Sequence, residues 1–321
     1  MQSSSTSPIR VSVIMPARNA APFIDAALQS VRAQSLADLE ILVIDDGSTD
    51  QTLSIAQRHA GEDGRVRILH GAGRGPAAAR NLGLAEARGQ WAAVVDADDV
   101  VLADRLDRLL GAVGDAQIAA DNLTAFYDDG ATPDHPWLEG AQWEKPQRLD
   151  LTTFLSSGRD GNARAELGYL KPMFRLAWLR QHDLRYDETL TIGEDFDFVA
   201  RGLAAGATYV YAPHAGYRYR RRSGSISHRL SVAQLDVMLV AAERLAAVLD
   251  GEARGAMDVR IARMQADRRF VACVNRMKSG DLSALAVIAG SGDLRARFGR
   301  AAVEGLTRRL RAPAPREGLP T

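Results

Sequence analysis

The sequence lacks the features that mark several classes of protein. Its 321 residues include one cysteine, Cys273, so an intramolecular disulfide and a cysteine-rich zinc site are both excluded. No run of about 18 apolar residues occurs, which argues against a transmembrane helix. The opening segment MQSSSTSPIR has no apolar stretch of the kind found in secretion signals. These absences predict a protein of a reducing compartment, the cytoplasm, whose membrane contact, if any, is peripheral.

The sequence also has no net charge, since 40 basic and 40 acidic side chains cancel. A zero balance gives no argument for a nucleic-acid partner, and we expect none. The composition, 46% hydrophobic and 25% charged, excludes a disordered or fibrous chain. The length suits one large domain or two of ordinary size.

The amino-terminal third alternates short apolar runs with amphipathic segments, which is the pattern of βα units on a parallel sheet. Four apolar runs are predicted to be strands: residues 11–15, 40–44, 65–69 and 91–95. Pro16 is predicted to end the first strand, and Ser48 with Gln51 forms a capping-box pattern for the helix after the second. The predicted fold is therefore α/β, with a doubly wound, mostly parallel sheet.

The rest of the chain divides into an irregular part and a helical part. Residues 121–172 show no regular period, with the turn cluster DDGATPDHP in the middle. After Leu230 the pattern predicts a helical carboxyl-terminal extension with helices at 232–249, 254–277 and 282–310. Cys273 lies in the second of these helices and is predicted to be buried. The last residues, 312–321, are predicted to be a disordered tail.

Three acidic clusters follow apolar runs, where the strands of the predicted sheet end. They are Asp45-Asp46, Asp96-Ala97-Asp98-Asp99 and Glu194-Asp195. In open α/β sheets ligands bind at the carboxyl ends of the strands. Because like charges repel, clusters placed there predict a bound cation or polar ligand. The alternative is that single aspartates only cap helices, which leaves the Asp96–Asp99 cluster poorly explained.

The spacing of Asp96 and Asp98 suits a nucleotide and a metal ion. Side chains of an extended segment alternate with a period of two, so the two carboxylates lie on the same side. One carboxylate can then hold a hydrated Mg²⁺ or Mn²⁺ ion while the other contacts a ribose hydroxyl.

Four blocks of sequence resemble a known family. They are VSVIMPARNAAPFIDAALQSVRAQSLADLEILVIDDGSTDQT, GPAAARNLGLAEARGQWAAVVDADD, IGEDFDF and PHAGYRYRRRSGSIS. Over about residues 9–225 the chain resembles the family 2 glycosyltransferases, which have the A-type nucleotide-sugar fold (GT-A). Within the family, the pattern is most similar to bacterial exopolysaccharide glycosyltransferases of the succinoglycan glucosyltransferase type.

The resemblance implies which residues bind the nucleotide. Pro16, Ala17 and Arg18 match the loop that lines the nucleobase. Asp45 matches the carboxylate that accepts a hydrogen bond from the uracil ring nitrogen, and Arg74 lies near a basic position that faces the nucleotide.

The resemblance also implies the metal ligands and the base. Asp96 matches the contact to the ribose or sugar and Asp98 matches the metal ligand, with Asp96 and Asp99 as further metal ligands. Asp195 matches the general base that takes the proton of the acceptor hydroxyl, with Glu194 as its neighbour.

The basic stretch at residues 218–222, RYRRR, has two interpretations. Arg221 and Arg222 form a clamp for the diphosphate, for which the charge and fork geometry of arginine are suited. Alternatively, the stretch is a solvated basic loop.

The resemblance implies an inverting glycosyltransferase that uses Mg²⁺ or Mn²⁺ and a UDP-sugar, with UDP-glucose as the expected donor. The expected acceptor is an oligosaccharide on a polyprenyl diphosphate, in exopolysaccharide biosynthesis. The implied catalytic domain covers residues 1–228, with the nucleotide sugar bound by 9–120 and the acceptor and base in 121–228, and residues 229–311 form the helical region. The alternatives are a catalytically inactive nucleotide-sugar-binding protein and a nucleotidyltransferase.

The neutral total hides a split of charge along the chain. Residues 252–321 hold 14 basic and 7 acidic side chains, a net charge of +7, which leaves −7 for residues 1–251. Basic pairs such as Arg268-Arg269 and Arg308-Arg309 lie on the predicted helices, a pattern that favours peripheral contact with the inner face of the plasma membrane. The alternatives are a solvated helical face and the contact of a homodimer.

Overall fold

The computed structural model describes residues 8–129, 132–158, 166–221, 230–292 and 294–299. Several of the sequence predictions lie outside these ranges. They concern Arg222, the part of the third carboxyl-terminal helix beyond residue 299, the basic pair Arg308-Arg309 and the tail at 312–321. The described residues form a mixed α/β fold with one central sheet and a helical carboxyl-terminal extension.

Among the described residues, ten strands form the central sheet. In chain order they are β1 (Val11–Ala17), β2 (Leu39–Asp45), β3 (Val66–His70), β4 (Trp91–Val94), β5 (Val100–Val101), β6 (Ile118–Tyr127), β7 (His135–Pro136), β8 (Gln147–Leu149), β9 (Met173–Arg175) and β10 (Tyr209–Arg221). The main path across the sheet is β3-β2-β1-β4-β9-β6-β10-β5, while β7 pairs with β6 and β8 with β10. Strand β9 runs antiparallel to both of its neighbours, and β6 and β10 are parallel to each other.

The parallel half of the sheet confirms the four predicted strands. β3, β2, β1 and β4 pair in parallel, as the apolar runs of the sequence indicate. The prediction that Pro16 ends the first strand is wrong, because β1 continues to Ala17 and Pro16 pairs in register with Ile44. A proline removes only one backbone donor, which a strand tolerates near its end.

The capping box predicted for the second helix is also wrong. The helix begins at Thr52, whose backbone N–H donates to Asp50 Oδ1 at 2.9 Å. Ser48 lies in the loop before it, where its hydroxyl accepts a hydrogen bond from the backbone N–H of Asn19 at 3.0 Å. Ser48 therefore connects the loop after β1 to the loop after β2, and both loops border the site.

Strand β6 corrects the prediction that residues 121–172 are irregular. This ten-residue strand lies inside the sheet between β9 and β10. Asp121 and Asn122 interrupt its apolar pattern, yet both are buried and paired. Arg105 Nε donates to both carboxylate oxygens of Asp121 at 3.1 Å, and Asn122 Nδ2 donates to Leu138 O at 2.9 Å. Because these partners are distant in sequence, the local pattern conceals the strand.

The main α-helices of the described ranges are numbered in chain order. They are α1 (Ile24–Arg32), α2 (Thr52–Glu62), α3 (Pro76–Glu86), α4 (Arg105–Ala112), α5 (Leu151–Ser156), α6 (Leu176–Gln181), α7 (Glu194–Ala204), α8 (Val232–Ala246), α9 (Gly251–Lys278) and α10 (Ser283–Gly290). Helix α9 packs against α5 and α8, and α8 also contacts α7. The carboxyl-terminal helices therefore lie directly on the half of the protein that carries α7.

The helical extension predicted after residue 230 is confirmed, with one correction. Helix α10 ends at Gly290, and Ser291 is extended, so the single helix predicted for residues 282–310 is interrupted there. Cys273 is buried in α9, as predicted. None of the helices in the described part of the chain combines the length and apolar character that a bilayer span needs.

Candidate active site

A cleft of about 710 Å³ opens at the edge of the sheet where β1 and β4 end. It collects most of the residues that the sequence singles out. Those that line it are Pro16, Ala17, Arg18, Asp96, Asp98, Glu194 and Asp195. Asp45, Arg74, Asp99 and Arg221 are described but are not part of its lining. The sequence therefore predicts the place of the site better than the role of each residue.

The glycine-rich turn GAGRG is held beside the cleft by Asp46. Asp46 Oδ1 accepts from the backbone N–H of Gly73 at 2.8 Å, and Oδ2 accepts from that of Gly75 at 2.7 Å. A Cβ at Gly71 would lie 2.5 Å from Asp46 Oδ1, so glycine is required there. Asp46 is thus a support of the turn that leads into α3 rather than a simple helix cap.

The two other predicted nucleotide contacts on this side are not among the residues that line the cleft. Asp45 is buried at the end of β2, where its Oδ1 accepts from Ser48 N at 3.4 Å. Arg74 is exposed, and its Nη1 lies 2.8 Å from Glu188 Oε2. Their proposed contacts with the nucleotide stay predictions.

Three carboxylates converge on two buried cations in the middle of the cleft. Arg80 contacts Asp96 Oδ1 at 2.9 Å, Glu194 Oε1 at 2.5 Å and Asp195 Oδ1 at 3.6 Å. Lys171 Nζ contacts Asp96 Oδ2 at 2.8 Å and Asp195 Oδ2 at 2.7 Å. The two cations therefore link Asp96, which follows β4, to the acidic pair in the first turn of α7.

The electrostatics of this cluster favour its charged form. Burial alone would lower the pKa of Lys171, but Asp195 and Asp96 raise it well above its ordinary value. Arg80 behaves in the same way, because the three carboxylates outweigh burial and raise its pKa. Burial would raise the pKa of Asp96, but Lys171 and Arg80 together lower it below its usual range. We infer that Arg80, Lys171 and Asp96 are charged in this cluster.

Asp99 occupies a different environment from Asp98, although the two are adjacent. Its Oδ2 accepts from Tyr217 Oη at 2.7 Å, and its Oδ1 accepts from the backbone N–H of Arg220 at 2.7 Å. Burial, with Asp96 and Asp98 nearby, raises the pKa of Asp99 well above its ordinary value. Its carboxylate joins β10 to the loop after β4, so the geometry does not support the shared metal role predicted for it.

The basic stretch in β10 contacts the same loop through Arg220. Arg220 Nε donates to the backbone oxygen of Asp98 at 2.7 Å, and its guanidinium lines the cleft. Arg221 instead lies over the ring of Trp137, with 5.9 Å from its Cζ to the ring centroid. Of the described arginines in this stretch, Arg220 is therefore the one that lines the cleft, where it also pairs with Asp128, and the sequence analysis did not select it.

Comparisons with known proteins give the family. The sequence profile of the family Glycosyl transferase family 2 matches residues 12–171. Succinoglycan biosynthesis protein ExoO of Rhizobium meliloti (strain 1021) is 37% identical over 279 residues, which cover 85% of this chain and 79% of that protein. ExoU, a second succinoglycan biosynthesis protein of the same organism, is 41% identical over 68% of this chain and 64% of that protein. The chain belongs to glycosyl transferase family 2.

Solved structures show the same fold for this glycosyltransferase. Staphylococcus aureus TarS 1–349 in complex with UDP-GlcNAc superposes with a TM-score of 0.64 at 21% identity, covering 81% of this chain and 72% of that chain. The mannosyltransferase PcManGT from Pyrobaculum calidifontis, in complex with GDP-Man and Mn²⁺, gives a TM-score of 0.60 at 17% identity, with 95% and 84% covered. At these identities the likeness establishes the GT-A fold.

The cleft of the glycosyltransferase suits a divalent ion that shares its ligands with a diphosphate. Within the described ranges, no group of three Asp, Glu, His or Cys side chains is close enough to hold a metal alone. Mg²⁺ is commonly held by one or two carboxylates together with substrate phosphates and water. Asp98 is half-buried and lines the cleft, and both oxygens of Asp96 bond Arg80 and Lys171. The residues present would fit such an ion, with Asp98 as the candidate protein ligand.

Sequence reasoning missed Arg80 and Lys171, the two cations at the centre of the site. Arg80 stands in the small-residue segment PAAARNLG, on a face of α3 where Ala77, Ala79 and Gly83 are buried. Lys171 stands between buried Leu170 and buried strand β9. A lone cation among residues that are otherwise small or apolar is the signal that could have identified each of them.

Proposed function

We propose that this glycosyltransferase is inverting and metal-dependent, and that it transfers a sugar from a UDP-sugar to a hydroxyl of an oligosaccharide acceptor. The expected donor is UDP-glucose, and the expected process is the synthesis of a bacterial exopolysaccharide. The names of ExoO and ExoU, which are succinoglycan biosynthesis proteins, support that process. The UDP-GlcNAc complex of TarS supports a UDP-sugar.

The observation that carries the proposal is the convergence of Asp96 and Asp195 on Lys171. Asp96 follows β4 and Asp195 lies in the first turn of α7, and both line the cleft. One direct displacement requires a single basic carboxylate on the face of the sugar opposite the leaving group. Such a displacement inverts the configuration at the anomeric carbon. An α-linked donor would then give a β-linked product.

The residues of the chain have separable roles in this mechanism. Asp195 accepts the proton of the acceptor hydroxyl as the hydroxyl attacks. Lys171 orients Asp195 through a hydrogen bond of 2.7 Å to Oδ2, and the charge of Arg80 lies 3.6 Å from Oδ1. Glu194 anchors Arg80 and so supports the base without receiving the proton.

The donor side binds the diphosphate. Asp98 would hold Mg²⁺ or Mn²⁺, and Arg220 of β10, which donates to the backbone oxygen of Asp98, would contact a phosphate oxygen. Bound there, the ion supplies Lewis-acid stabilisation of the nucleoside diphosphate leaving group. Asp96 orients the ribose or the sugar, since each carboxylate oxygen can accept more than one hydrogen bond.

A membrane-bound acceptor would explain the charge of the carboxyl-terminal helices, and we propose peripheral binding to the inner face of the plasma membrane. The support from the described residues is mixed. Arg254, Arg268 and Arg276 each pair with an aspartate. In contrast, Leu282 and Leu285 at the start of α10 are 73% and 50% exposed. Exposed apolar residues beside basic ones are typical of an interfacial segment.

A donor screen tests the proposed function. Thermal shift of the purified chain with Mn²⁺ and a panel of UDP- and GDP-sugars would select the donor, and NMR of the transferred sugar would give its anomeric configuration. We expect a UDP-sugar to stabilise the protein and the product to be inverted. Stabilisation by GDP-sugars alone, or a product with retained configuration, would overturn the proposal.

A matched pair of variants tests the membrane contact. Co-sedimentation with phosphatidylglycerol-containing vesicles should fall for Leu282→Asp/Leu285→Asp and stay unchanged for Val259→Asp, which alters an exposed residue in the first half of α9. Equal binding by both variants would contradict the contribution of α10.

A further inference from the structure

A buried ion pair joins α4 to β6 outside the lining of the cleft. Arg105 is the first residue of α4, and Asp121 lies in the first half of β6. Their side chains are 0% and 2% exposed. A buried ion pair is often no more stabilising than apolar residues of similar volume. The position of this pair therefore suggests a role besides stability.

The guanidinium of Arg105 is divided between Asp121 and the segment that carries Lys171. Its Nε and Nη2 donate to Asp121 at 2.9–3.1 Å. Its Nη2 also donates to the backbone oxygen of Lys171 at 2.6 Å. The Nζ of Lys171 in turn lies 2.7 Å from Oδ2 of Asp195. Arg105 is therefore separated from the proposed base by a single residue.

Asp121 also holds the irregular part of β10. The register of β10 against β6 shifts between Ala212 and Tyr217. Within this shift the backbone N–H of Gly216 donates to Oδ2 of Asp121 at 3.0 Å. A Cβ on Gly216 would lie 2.6 Å from that oxygen and 2.8 Å from Cγ of Arg105, so a side chain has no room there. The buried pair therefore fixes the residue that precedes Tyr217.

Tyr217 makes a second connection from the pair to the cleft. The centroid of its ring lies 4.9 Å from Cζ of Arg105. Its hydroxyl accepts from the backbone N–H of Asp96 at 3.1 Å and donates to Asp99. Tyr217 thus holds the backbone of Asp96, while Lys171 holds its carboxylate. Arg105 contacts both of these residues from the side away from the cleft lining.

We propose that Arg105, fixed by Asp121, is a positioning residue for the proposed base. It holds the backbone of Lys171, whose Nζ bridges Asp96 and Asp195. The planar fork of the guanidinium lets one side chain bond the carboxylate of Asp121 and the backbone of Lys171 together. The inference rests on the proposed function for the role of Asp195 as the base.

A variant that replaces both members of the pair tests the inference. Arg105→Met/Asp121→Leu leaves no buried charge without its partner, and urea unfolding verifies that the variant is folded. We expect kcat with the selected donor to fall about ten-fold or more, because a small displacement of a reacting group lowers a rate steeply. The Kd for UDP should change less than about three-fold, because the hydroxyl of Tyr217 keeps its contacts.

A double-mutant cycle tests whether Arg105 acts through Lys171. Adding Lys171→Met to the double variant should give a kcat within about two-fold of that of Lys171→Met alone, since nothing is left to position. Arg105→Lys is the milder variant should the double variant not fold. It keeps the charge beside Asp121 but loses the fork, so its kcat should also fall while its UDP affinity is retained.

Arg67→Met is the matched control. It breaks the pair between Arg67 and buried Glu40 of β2, and neither residue lines the cleft. We expect it to lower the free energy of unfolding and to leave kcat unchanged. An equal fall in kcat for the control and the double variant would assign the loss to general destabilisation and overturn the inference.

Two other results would overturn the inference. A folded double variant with kcat within about two-fold of wild type would limit the pair to a structural role. Effects of the double variant and of Lys171→Met that multiply when combined would show that Arg105 does not act through Lys171. A wild-type product with retained configuration would overturn the proposed function instead, and the ratios of kcat would still test the positioning of Lys171.

Discussion

Replacing Lys171 by methionine tests whether a buried cation holds the donor-side and acceptor-side carboxylates in place. The Lys171 side chain is 8% exposed, and its Nζ lies 2.8 Å from Asp96 and 2.7 Å from Asp195. Methionine keeps the apolar stem but removes the charge, so the two carboxylates share Arg80 alone. Removing one partner of a buried pair costs about 3–5 kcal/mol. Because Arg80 remains, we expect a loss of about 3 kcal/mol in the free energy of unfolding.

The catalytic effect should exceed the effect on binding. Repulsion between the two carboxylates would move Asp195, and a displacement of about 1 Å can lower a rate about 100-fold. We therefore expect kcat to fall about 100-fold while the Kd for UDP changes less than about three-fold. Lys171→Arg should recover part of the rate, since it restores the charge but not the geometry.

Steady-state kinetics with the selected donor, calorimetry with UDP and urea unfolding measure these three quantities. If Lys171→Met kept kcat within a factor of about two of wild type, Lys171 would not position the base. A fall in UDP affinity equal to the fall in kcat would refute the reasoning in a different way. That result would show that Lys171 contributes to donor binding instead.

Three further predictions concern other parts of the site. Asp46→Ala should weaken UDP binding about ten-fold in calorimetry, because two backbone N–H groups of the glycine-rich turn lose their acceptor. Unchanged affinity would show that the turn does not contribute to donor binding. Asp98→Asn should raise the Mn²⁺ concentration for half-maximal activity about ten-fold or more, and an unchanged metal titration would contradict its role. Arg105→Met should lower the free energy of unfolding in urea by about 3–5 kcal/mol, and Arg105→Met/Asp121→Leu should recover most of it. A double variant no more stable than the single one would refute that explanation.

The sequence predicts the parallel half of the sheet and the edge where the site lies. Buried parallel strands read as continuous apolar runs, so β1 to β4 are visible from local pattern alone. Acidic residues directly after such runs must lie at the carboxyl edge, which places Asp96 and Asp98 in the cleft. The position of Glu194 and Asp195 beside them follows from the family resemblance and not from the local pattern.

The remaining parts depend on contacts between distant segments. Arg80 and Glu194 are 114 residues apart in sequence, and the pairing of their charges appears only when α3 and α7 are placed together. Strand β6 is concealed because Asp121 is an acceptable strand residue only with Arg105 beside it. Asp99 and Asp98 are adjacent in sequence, and the contact of Asp99 with Tyr217 distinguishes them. Local patterns predict elements, but the partners of buried charges are set by tertiary structure.

The central claim is that Asp195 takes the proton of the acceptor hydroxyl. The most direct measurement is kcat for the selected donor in the wild-type chain, Asp195→Asn and Asp197→Asn. Asp197 lies on the same helix and pairs with Arg201, so its variant controls for a change in α7. The account predicts a fall of about 100-fold or more in kcat for Asp195→Asn with UDP affinity retained, and near wild-type turnover for Asp197→Asn. Near-normal transfer by Asp195→Asn would contradict it.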